Sequence, residues 1–352
     1  MEFLPRFLLF CANQPLKNFN ILDMRTKPLI VITHMIPEAG IELLKKKKYN
    51  VKVSRKQSAL SRIELKKFVR GADAVLALLT DAIDAEILDA AGENLKIVAN
   101  YAVGYDNIKL EDAKTRNVIV TNTPDVLSCA VAEHTVALLL SCAKRIVEAD
   151  RFTRAQKYKG WQPMLLLGKE LNGKTLGIIG SGRIGVRVAH IAHHGLNMKI
   201  VYNDIARNNG LEESCAAKFM NLIQLLKQSD VISVHVPLLP STRHLLGKKE
   251  FKMMKRDAIV INTSRGPVVS EKALTWALKK NEIMAAGIDV FECEPAIDCD
   301  LSDTLELKKL ENVVMTPHIA SGTIETRNEM SRIAARNIIA VLSGKKAITP
   351  VV

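Results

Sequence analysis

The chain has 352 residues, more than one ordinary hydrophobic core requires, so two domains are expected. Hydrophobic residues make up 48%, which is ample for packed interiors and excludes a largely disordered chain. A net charge of +13 raises the prospect of nucleic-acid binding through counterion release. The basic residues are scattered, however, and the densest run, "KKKK" at 45–48, has no zinc-finger spacing or aromatic-rich basic strand beside it. It reads as a solvated helix face, with no nucleic-acid partner, and the positive field suits an anionic substrate or cofactor.

Six cysteines, Cys11, Cys129, Cys142, Cys215, Cys293 and Cys299, show no CxxC and no metal-ligand spacing. They point to free thiols in a reducing compartment, and no metal is expected. No apolar run reaches the roughly 18 residues needed to span a bilayer, so a cytoplasmic location without membrane contact follows as the default. Residues 1–27 carry only a brief apolar patch, too short for a signal peptide. They read either as an ill-ordered extension or as sequence upstream of a natural start at Met24.

From Pro28 the pattern is regular. "PLIVITH", "ADAVLALL" and "LKIVANYA" are strand candidates, separated by the helical "EAGIELLKKK" and "AEILDAAG". Short β-branched runs alternating with helices predict a parallel sheet covered by helices, a complete α/β unit over about residues 28–123. "AVAEHTVALLLSCAKRIVEADRFTRAQ" then predicts one long helix, too apolar for a single exposed side and so lying in an interface between domains or subunits. The breaker-rich "YKGWQPMLLLGKEL" after it predicts a loop.

"KTLGIIGSGRIGVRVAHIAHHGLNMKIVYND" is a strand, a glycine turn, a helix and a second strand ending in an acid, the dinucleotide fingerprint. Gly180 permits the tight turn, Gly182 lets the backbone approach a pyrophosphate, and Gly185 allows close helix–strand packing. The phosphates would sit on the helix N-terminus. Asp204 follows Gly185 by nineteen residues; a carboxylate there accepts from both ribose hydroxyls and repels a 2′-phosphate, favouring NAD(H) over NADP(H). Four further strands, in "DVISVHVPL", "AIVINTSRG", "AAGIDVF" and "NVVMTPH", run into polar or proline-containing loops. In an open parallel sheet such carboxyl ends line the ligand crevice.

Hydride chemistry on a bound nicotinamide needs an acid/base and a cation nearby. His34, His134, His190, His193 and His194 lie in or at the ends of regular elements and read as packing or surface groups, while His235 and His244 near the cofactor loops stay ambiguous. His318 follows a strand end and a proline, before small residues. The planar fork of Arg265, in "TSRG", suits a carboxylate or developing alkoxide. Glu294, in "ECEP", is placed to hold an imidazole in its proton-donating form. Each is equally a plain salt-bridge residue on composition alone; their joint placement after a nucleotide fingerprint favours catalysis.

The sequence resembles the D-isomer-specific 2-hydroxyacid dehydrogenase family from about residue 28 to 350. The resemblance rests on "NYAVGYDNI", "VTNTPDVLSCAVAEHTVALLL", "GKTLGIIGSGRIG", "VPLLPSTRHLL", "INTSRGPVVSEKAL", "AAGIDVFECEP" and "VVMTPHIASGT", and its first two segments look most like glyoxylate and hydroxypyruvate reductases. It implies two Rossmann-like, doubly wound α/β domains of parallel sheet. An NAD-binding domain over 124–318 would be inserted in a substrate domain of 28–123, which 319–352 returns to complete.

It further implies Arg265 on the substrate carboxylate and carbonyl, His318 as general acid/base with Glu294 as its partner, backbone amides of Val103 and Gly104 on the carboxylate, and Leu79 as a pocket wall. Cofactor contacts would come from Gly180, Ser181, Gly182, Arg183, Ile184, Gly185, Asp204, Val236, Pro237, Thr242, Thr263, Ser264, Asp289 and His318. The long helix resembles the family's dimerisation element, implying a homodimer with Trp161 reaching the partner's pocket. Phosphite dehydrogenases also show "GWQP" but carry a lysine where this chain has Val103, and formate dehydrogenases place glutamine at Glu294. A non-enzymatic NADH sensor of the corepressor type shares the fold and the three residues.

Overall fold

The computed structural model describes residues 27–294 and 306–352, so the expected N-terminal extension lies, Lys27 apart, outside the described residues. The first sheet contains β1 (Leu29–Ile32), β2 (Asn50–Val53), β3 (Ala74–Ala77), β4 (Ile97–Asn100) and β5 (Ile119–Thr121). Helices α1 (Glu38–Lys46), α2 (Arg62–Phe68), α3 (Ala85–Ala91) and α4 (Leu110–Thr115) connect them. All pairings are parallel, in the order β2-β1-β3-β4-β5. Strands β3 and β4 are buried at every position, as parallel strands covered on both faces must be. Ile30, Ile32, Leu76 and Ile97 are completely buried, each contributing about 1.5–3 kcal/mol relative to exposure. The sequence pattern missed β2, β5, α2 and α4. The edge strand "NVKV" has no buried residue, and "RIELKKF" buries only Leu65, its start being fixed by a capping box between Ser61 and Glu64.

A C-terminal helix, Ile324–Leu342, returns to this sheet. It packs on α1 and β4. A Cβ on Gly40 would lie 2.2 Å from the Ser331 carbonyl oxygen, so this helix crossing requires glycine; the Gly40 N–H donates to Ser331 Oγ at 3.0 Å. The Tyr101 hydroxyl donates to the Arg327 carbonyl at 2.6 Å, and the last residues lie along β5, the Val351 N–H donating to the Val120 carbonyl at 2.7 Å.

The single long helix expected after residue 129 is two: α5 (Ser128–Ala143) and α6 (Ile146–Arg154). The Ala143 carbonyl, which would continue the ladder, accepts instead from the Lys169 N–H at 2.7 Å. Arg145 turns into the left-handed region at φ 54° and its guanidinium grips Glu148 at 2.7 Å, starting the second helix on a new axis. Helix α5 does lie in an interface: Val131, with Leu127 just before the helix, enters the core of the first sheet, while Ala132, Val136 and Leu139 enter that of the second.

The second sheet contains β6 (Thr175–Ile179), β7 (Lys199–Asn203), β8 (Lys218–Phe219), β9 (Val231–Val234), β10 (Ile259–Asn262), β11 (Ala285–Ile288) and β12 (Val313–Met315). Helices α7 (Arg183–His190), α8 (Asn209–Cys215), α9 (Leu222–Gln228), α10 (Lys248–Phe251) and α11 (Glu271–Lys279) lie between strands. The order β12-β11-β10-β9-β6-β7-β8 is parallel throughout and reverses direction at β6. The glycine turn that leaves β6 therefore stands at the topological switch point, where a doubly wound sheet opens a crevice. Lys45, Lys46, Lys47 and Lys48 are exposed, as a solvated helix end requires. No helix among the described residues is long and apolar enough to cross a membrane.

The free-thiol expectation fails at one position. Cys129, Cys142 and Cys215 are free, but Cys293 is disulfide-bonded. A bridge without short CxxC spacing leaves no local signature to read.

Candidate active site

The predicted cofactor residues fall at six strand ends of the second sheet. The glycine turn follows β6, Asp204 follows β7, Val236 and Pro237 follow β9, Thr263 to Arg265 follow β10, Asp289 follows β11 and His318 follows β12. Gly180 has φ 96°, a conformation that L side chains resist, and a Cβ there would sit 2.8 Å from the His235 carbonyl carbon. A Cβ on Gly185 would sit 2.1 Å from the Gly180 carbonyl oxygen, so α7 starts hard against the turn. At Gly182, in contrast, a Cβ would meet nothing within 4 Å, and α7 begins there with no side-chain cap. The first amides of the helix thus face open space with a positive dipole end, which fits a pyrophosphate.

Asp204 is drawn onto this turn. Its Oδ2 accepts from the Ser181 N–H at 2.7 Å and from Ser181 Oγ at 2.8 Å, while Oδ1 accepts from the Ile205 N–H at 2.7 Å. Arg207, three residues beyond, is held by Glu212 at 2.7 Å. Asn208 donates from Nδ2 to the Ser181 carbonyl at 2.9 Å, tying the start of α8 to the same turn. Arg183 pairs with Asp125, next to the crossover into α5, and Ile184 packs against both domain cores.

The loops after β9 and β10 are braced internally. Thr242 Oγ1 donates to the Pro237 carbonyl at 2.6 Å and accepts from the Leu239 N–H at 2.8 Å; Val236 is half-buried against the core. Thr263 Oγ1 lies 2.8 Å from Thr135 Oγ1 on α5, and the Ser264 hydroxyl donates to Asn262 Oδ1 at 2.8 Å.

These anchors aim Arg265 across to the first domain. Its Nε donates to Asp106 Oδ1 at 3.0 Å and its Nη1 to the Ser264 carbonyl at 2.9 Å. A Cβ on Gly104 would lie 1.8 Å from Arg265 Nη2, so the guanidinium rests on bare backbone. Around that backbone the carbonyls are tied down: Gly104 O accepts from Asn100 Nδ2 and Val103 O from Asn122 Nδ2, each at 2.8 Å. The N–H groups of Val103 and Gly104 meet no acceptor among the described residues. Two unpartnered amides beside a guanidinium are what a small carboxylate requires. Leu79 is half-buried in the loop after β3. Trp161 stands 81% exposed in the loop after α6, away from any core.

Gly104→Ala isolates this contact. The obstructing atom is the tip of a flexible side chain, and Gly104 does not have positive φ, so the fold should survive while Arg265 is displaced. The expected result is an unchanged melting temperature with kcat/KM reduced by about tenfold or more, the loss of about one charge-assisted hydrogen bond. A large fall in melting temperature would mean that the backbone, not Arg265, yields.

His318 Nδ1 lies 2.8 Å from Glu294 Oε2, and the His318 backbone has φ 54°, an uncommon conformation for a non-glycine residue and one that clusters at functional sites. What holds the strained loop is Asp289. Its Oδ1 accepts from Thr316 Oγ1 at 2.5 Å and the Ile319 N–H at 2.9 Å, its Oδ2 from the Ala320 N–H at 2.8 Å. Burial alone would lift this carboxyl; bonds from His134, Thr316 and the two amides outweigh it and hold it below the usual carboxylate range. His134, read as a packing residue, lies 3.0 Å from Thr316 Oγ1 and 3.5 Å from Asp289 Oδ1, so it belongs to this support. Its only sequence signal was helical spacing, which does not report a partner 155 or more residues away.

The rings of the two ambiguous histidines have partners of their own. Burial pushes the His235 imidazole down to about 3, neutral at physiological pH, with Nε2 2.8 Å from Ser233 Oγ. His244 Nε2 lies 3.2 Å from Glu292.

Residues 136–320 match the family described as "D-isomer specific 2-hydroxyacid dehydrogenase, NAD binding domain". The chain is 48% identical over 323 residues to a glyoxylate reductase of Thermococcus litoralis, covering 91% of this chain and 95% of that one. The TT0316 protein of Thermus thermophilus superposes with a TM-score of 0.85 at 40% identity, over 92% of this chain and 100% of its own. An NADPH-dependent glyoxylate/hydroxypyruvate reductase of Sinorhizobium meliloti, solved with NADP and malonate, gives a TM-score of 0.79 at 29% identity over 93% and 97%. The chain therefore belongs to the D-isomer-specific 2-hydroxyacid dehydrogenase family, oxidoreductases acting on CH–OH groups.

Proposed function

We propose that this chain is an NAD(H)-dependent reductase of a small 2-oxoacid, glyoxylate or hydroxypyruvate, with His318 donating the proton in reduction and accepting it in oxidation. The observation that carries the reading is the seat of Arg265 on Gly104, beside two unpartnered amides and with the His318–Glu294 pair two strands further along the same sheet end. Val103 and Gly104 amides and the Arg265 fork bind the substrate carboxylate, and Leu79 bounds the space for its side chain. Glu294 accepts from Nδ1 of His318, which leaves Nε2 for the substrate oxygen. His318 delivers its proton there as negative charge develops, while Arg265 stabilises the same oxygen. General acid catalysis of this kind contributes about a hundred- to ten-thousand-fold.

The cofactor, when bound, supplies the hydride. Gly180, Ser181, Gly182, Arg183, Ile184 and Gly185 would hold its pyrophosphate, Asp204 its ribose, and Val236, Pro237, Thr242, Thr263, Ser264, Asp289 and His318 the remainder of its length. Preference for NAD(H) rests on Asp204: at about 5 Å and an effective dielectric near 20, like unit charges repel by about 3 kcal/mol. Asp204→Ala is expected to raise kcat/KM for NADPH by about ten- to a hundredfold while lowering it for NADH. An unaltered ratio of the two would move the discrimination elsewhere. A homodimer, with Trp161 entering the partner's pocket, and a cytoplasmic location complete the reading. The 81% exposure of Trp161 supports the first.

The deciding assay follows NADH consumption with glyoxylate, hydroxypyruvate, pyruvate and 2-ketogluconate, and NAD⁺ reduction with phosphite. Saturable turnover of glyoxylate or hydroxypyruvate is expected. Phosphite oxidation without oxoacid turnover would replace the substrate class, and NADH binding with no turnover at all would make the chain a sensor.

A further inference from the structure

Outside the strand-end site, the described residues hold one group of three side chains suited to a metal ion. A ring nitrogen of His190, one of His194 and Sγ of Cys215 all lie within 4.8 Å of one another. They come together at the far end of the first crossover of the cofactor domain. Helix α7 ends at His190 and widens into a single π-helical turn, Ile191–Gly195, that contains His194. Such turns are rare and frequently occur at functional positions. Cys215 closes α8 and is 1% exposed, whereas His194 is exposed and His190 half-buried, so the thiol forms the floor and the two imidazoles the rim.

Ser214 is the polar neighbour that two of the three donors share, its hydroxyl lying 3.8 Å from Cys215 Sγ. The Ser214 hydroxyl donates to the Gly210 carbonyl at 2.6 Å and stands 3.1 Å from His190 Nε2, in position to accept from that ring. His193, the third imidazole in the run, is committed through Nδ1 to the Met198 carbonyl at 3.0 Å. No carboxylate joins the group, so hard cations that need oxygen ligands are disfavoured.

We propose that His190, His194 and Cys215 bind a borderline-soft divalent transition-metal ion of the Zn²⁺ class, with a fourth position left to water. Tetrahedral coordination with bonds of about 2.0–2.3 Å sets donor–donor edges of about 3.3–3.8 Å, so side-chain rotations of about an ångström complete the site. The ion ties the end of α7 to the end of α8. The opposite end of α8 is capped by Asn208, whose Nδ2 holds the Ser181 carbonyl in the glycine turn, so the same two helices frame the nucleotide side of the domain. Sequence spacing hides the site because its sulfur lies more than twenty residues from either imidazole.

The test is a Co²⁺ titration of the chelator-stripped full chain, read by absorbance, with Zn²⁺ as competitor. One equivalent should produce a thiolate-to-cobalt charge-transfer band with tetrahedral d–d bands, and Zn²⁺ should abolish them. Cys215→Ser should remove the charge-transfer band. His194→Ala, at an exposed position and with an unchanged melting temperature as its control, should weaken Co²⁺ binding by about tenfold or more, and His193→Ala should leave it intact. Absence of the band in the unmodified protein, its survival in Cys215→Ser, or equal affinity in His194→Ala would each overturn the proposal.

Discussion

Replacing His318 by alanine should lower kcat for oxoacid reduction by about a hundred- to ten-thousand-fold while NADH binding changes little. The asymmetry follows from the geometry. His318 is attached to the protein through its loop, which Asp289 anchors by three hydrogen bonds independent of the imidazole. Removing the ring therefore leaves the loop in place, and the glycine turn, which follows a strand well removed from β12 in the sheet order, is untouched. The side chain itself reaches only Glu294 among the described residues. NADH fluorescence titration and steady-state kinetics on the same preparation measure the two effects separately. Equal loss of binding and turnover would mean that the residue supports the fold of the site and does not move a proton. Glu294→Gln serves as the companion: it keeps the shape but accepts less strongly from Nδ1, and a smaller fall in kcat than in His318→Ala is expected.

The strands that carry the site were legible because each is short, apolar and followed by a break: "AIVIN" before "TSRG" or "NVVM" before "TPH". The strand alternation and the strand ends follow from local pattern, and so do the three glycines, whose separate reasons appear in the space around each one. What local pattern cannot carry is a partner distant in sequence. Asn107 and Asn122 tie down the backbone that seats Arg265, Asn107 Nδ2 donating to the Leu78 and Asp81 carbonyls at 3.0 Å and Asn122 Nδ2 to the Val103 carbonyl at 2.8 Å, yet as letters they are ordinary loop asparagines. Asp106 and His134 are the same case: one meets Arg265 from 159 residues away, the other meets Thr316 from 182. The broken long helix fails for the opposite reason. Residues 143–146 have good helical propensity, and the first segment ends where the Lys169 N–H takes the Ala143 carbonyl and Arg145 turns into the left-handed region.

Arg265→Ala should reduce kcat/KM for the oxoacid by about a hundred- to a thousandfold or more, through both KM and kcat. The guanidinium is the cation that rests on the Gly104 backbone among the described residues, and its side chain is only 20% exposed, so water does not replace what it supplies. Loss of the carboxylate contact raises KM; loss of stabilisation at the developing alkoxide lowers kcat, since that charge exists only on the way to product. Arg265→Lys distinguishes charge from shape. An ammonium keeps the charge but cannot hold Asp106 through Nε and present two further N–H groups in one plane, so most of the loss should persist. Asp106→Asn provides the complementary reading: the cation stays, its tether weakens, and a loss within about tenfold is expected, the scale of one exposed charged contact. If lysine restored full activity, the planar fork would be irrelevant and the carboxylate would have to be held by the Val103 and Gly104 amides with any nearby positive charge. If alanine at 265 left KM unchanged, the substrate would not be an anion bound at this seat, and the assignment of the crevice to a 2-oxoacid would fail at its most exposed point.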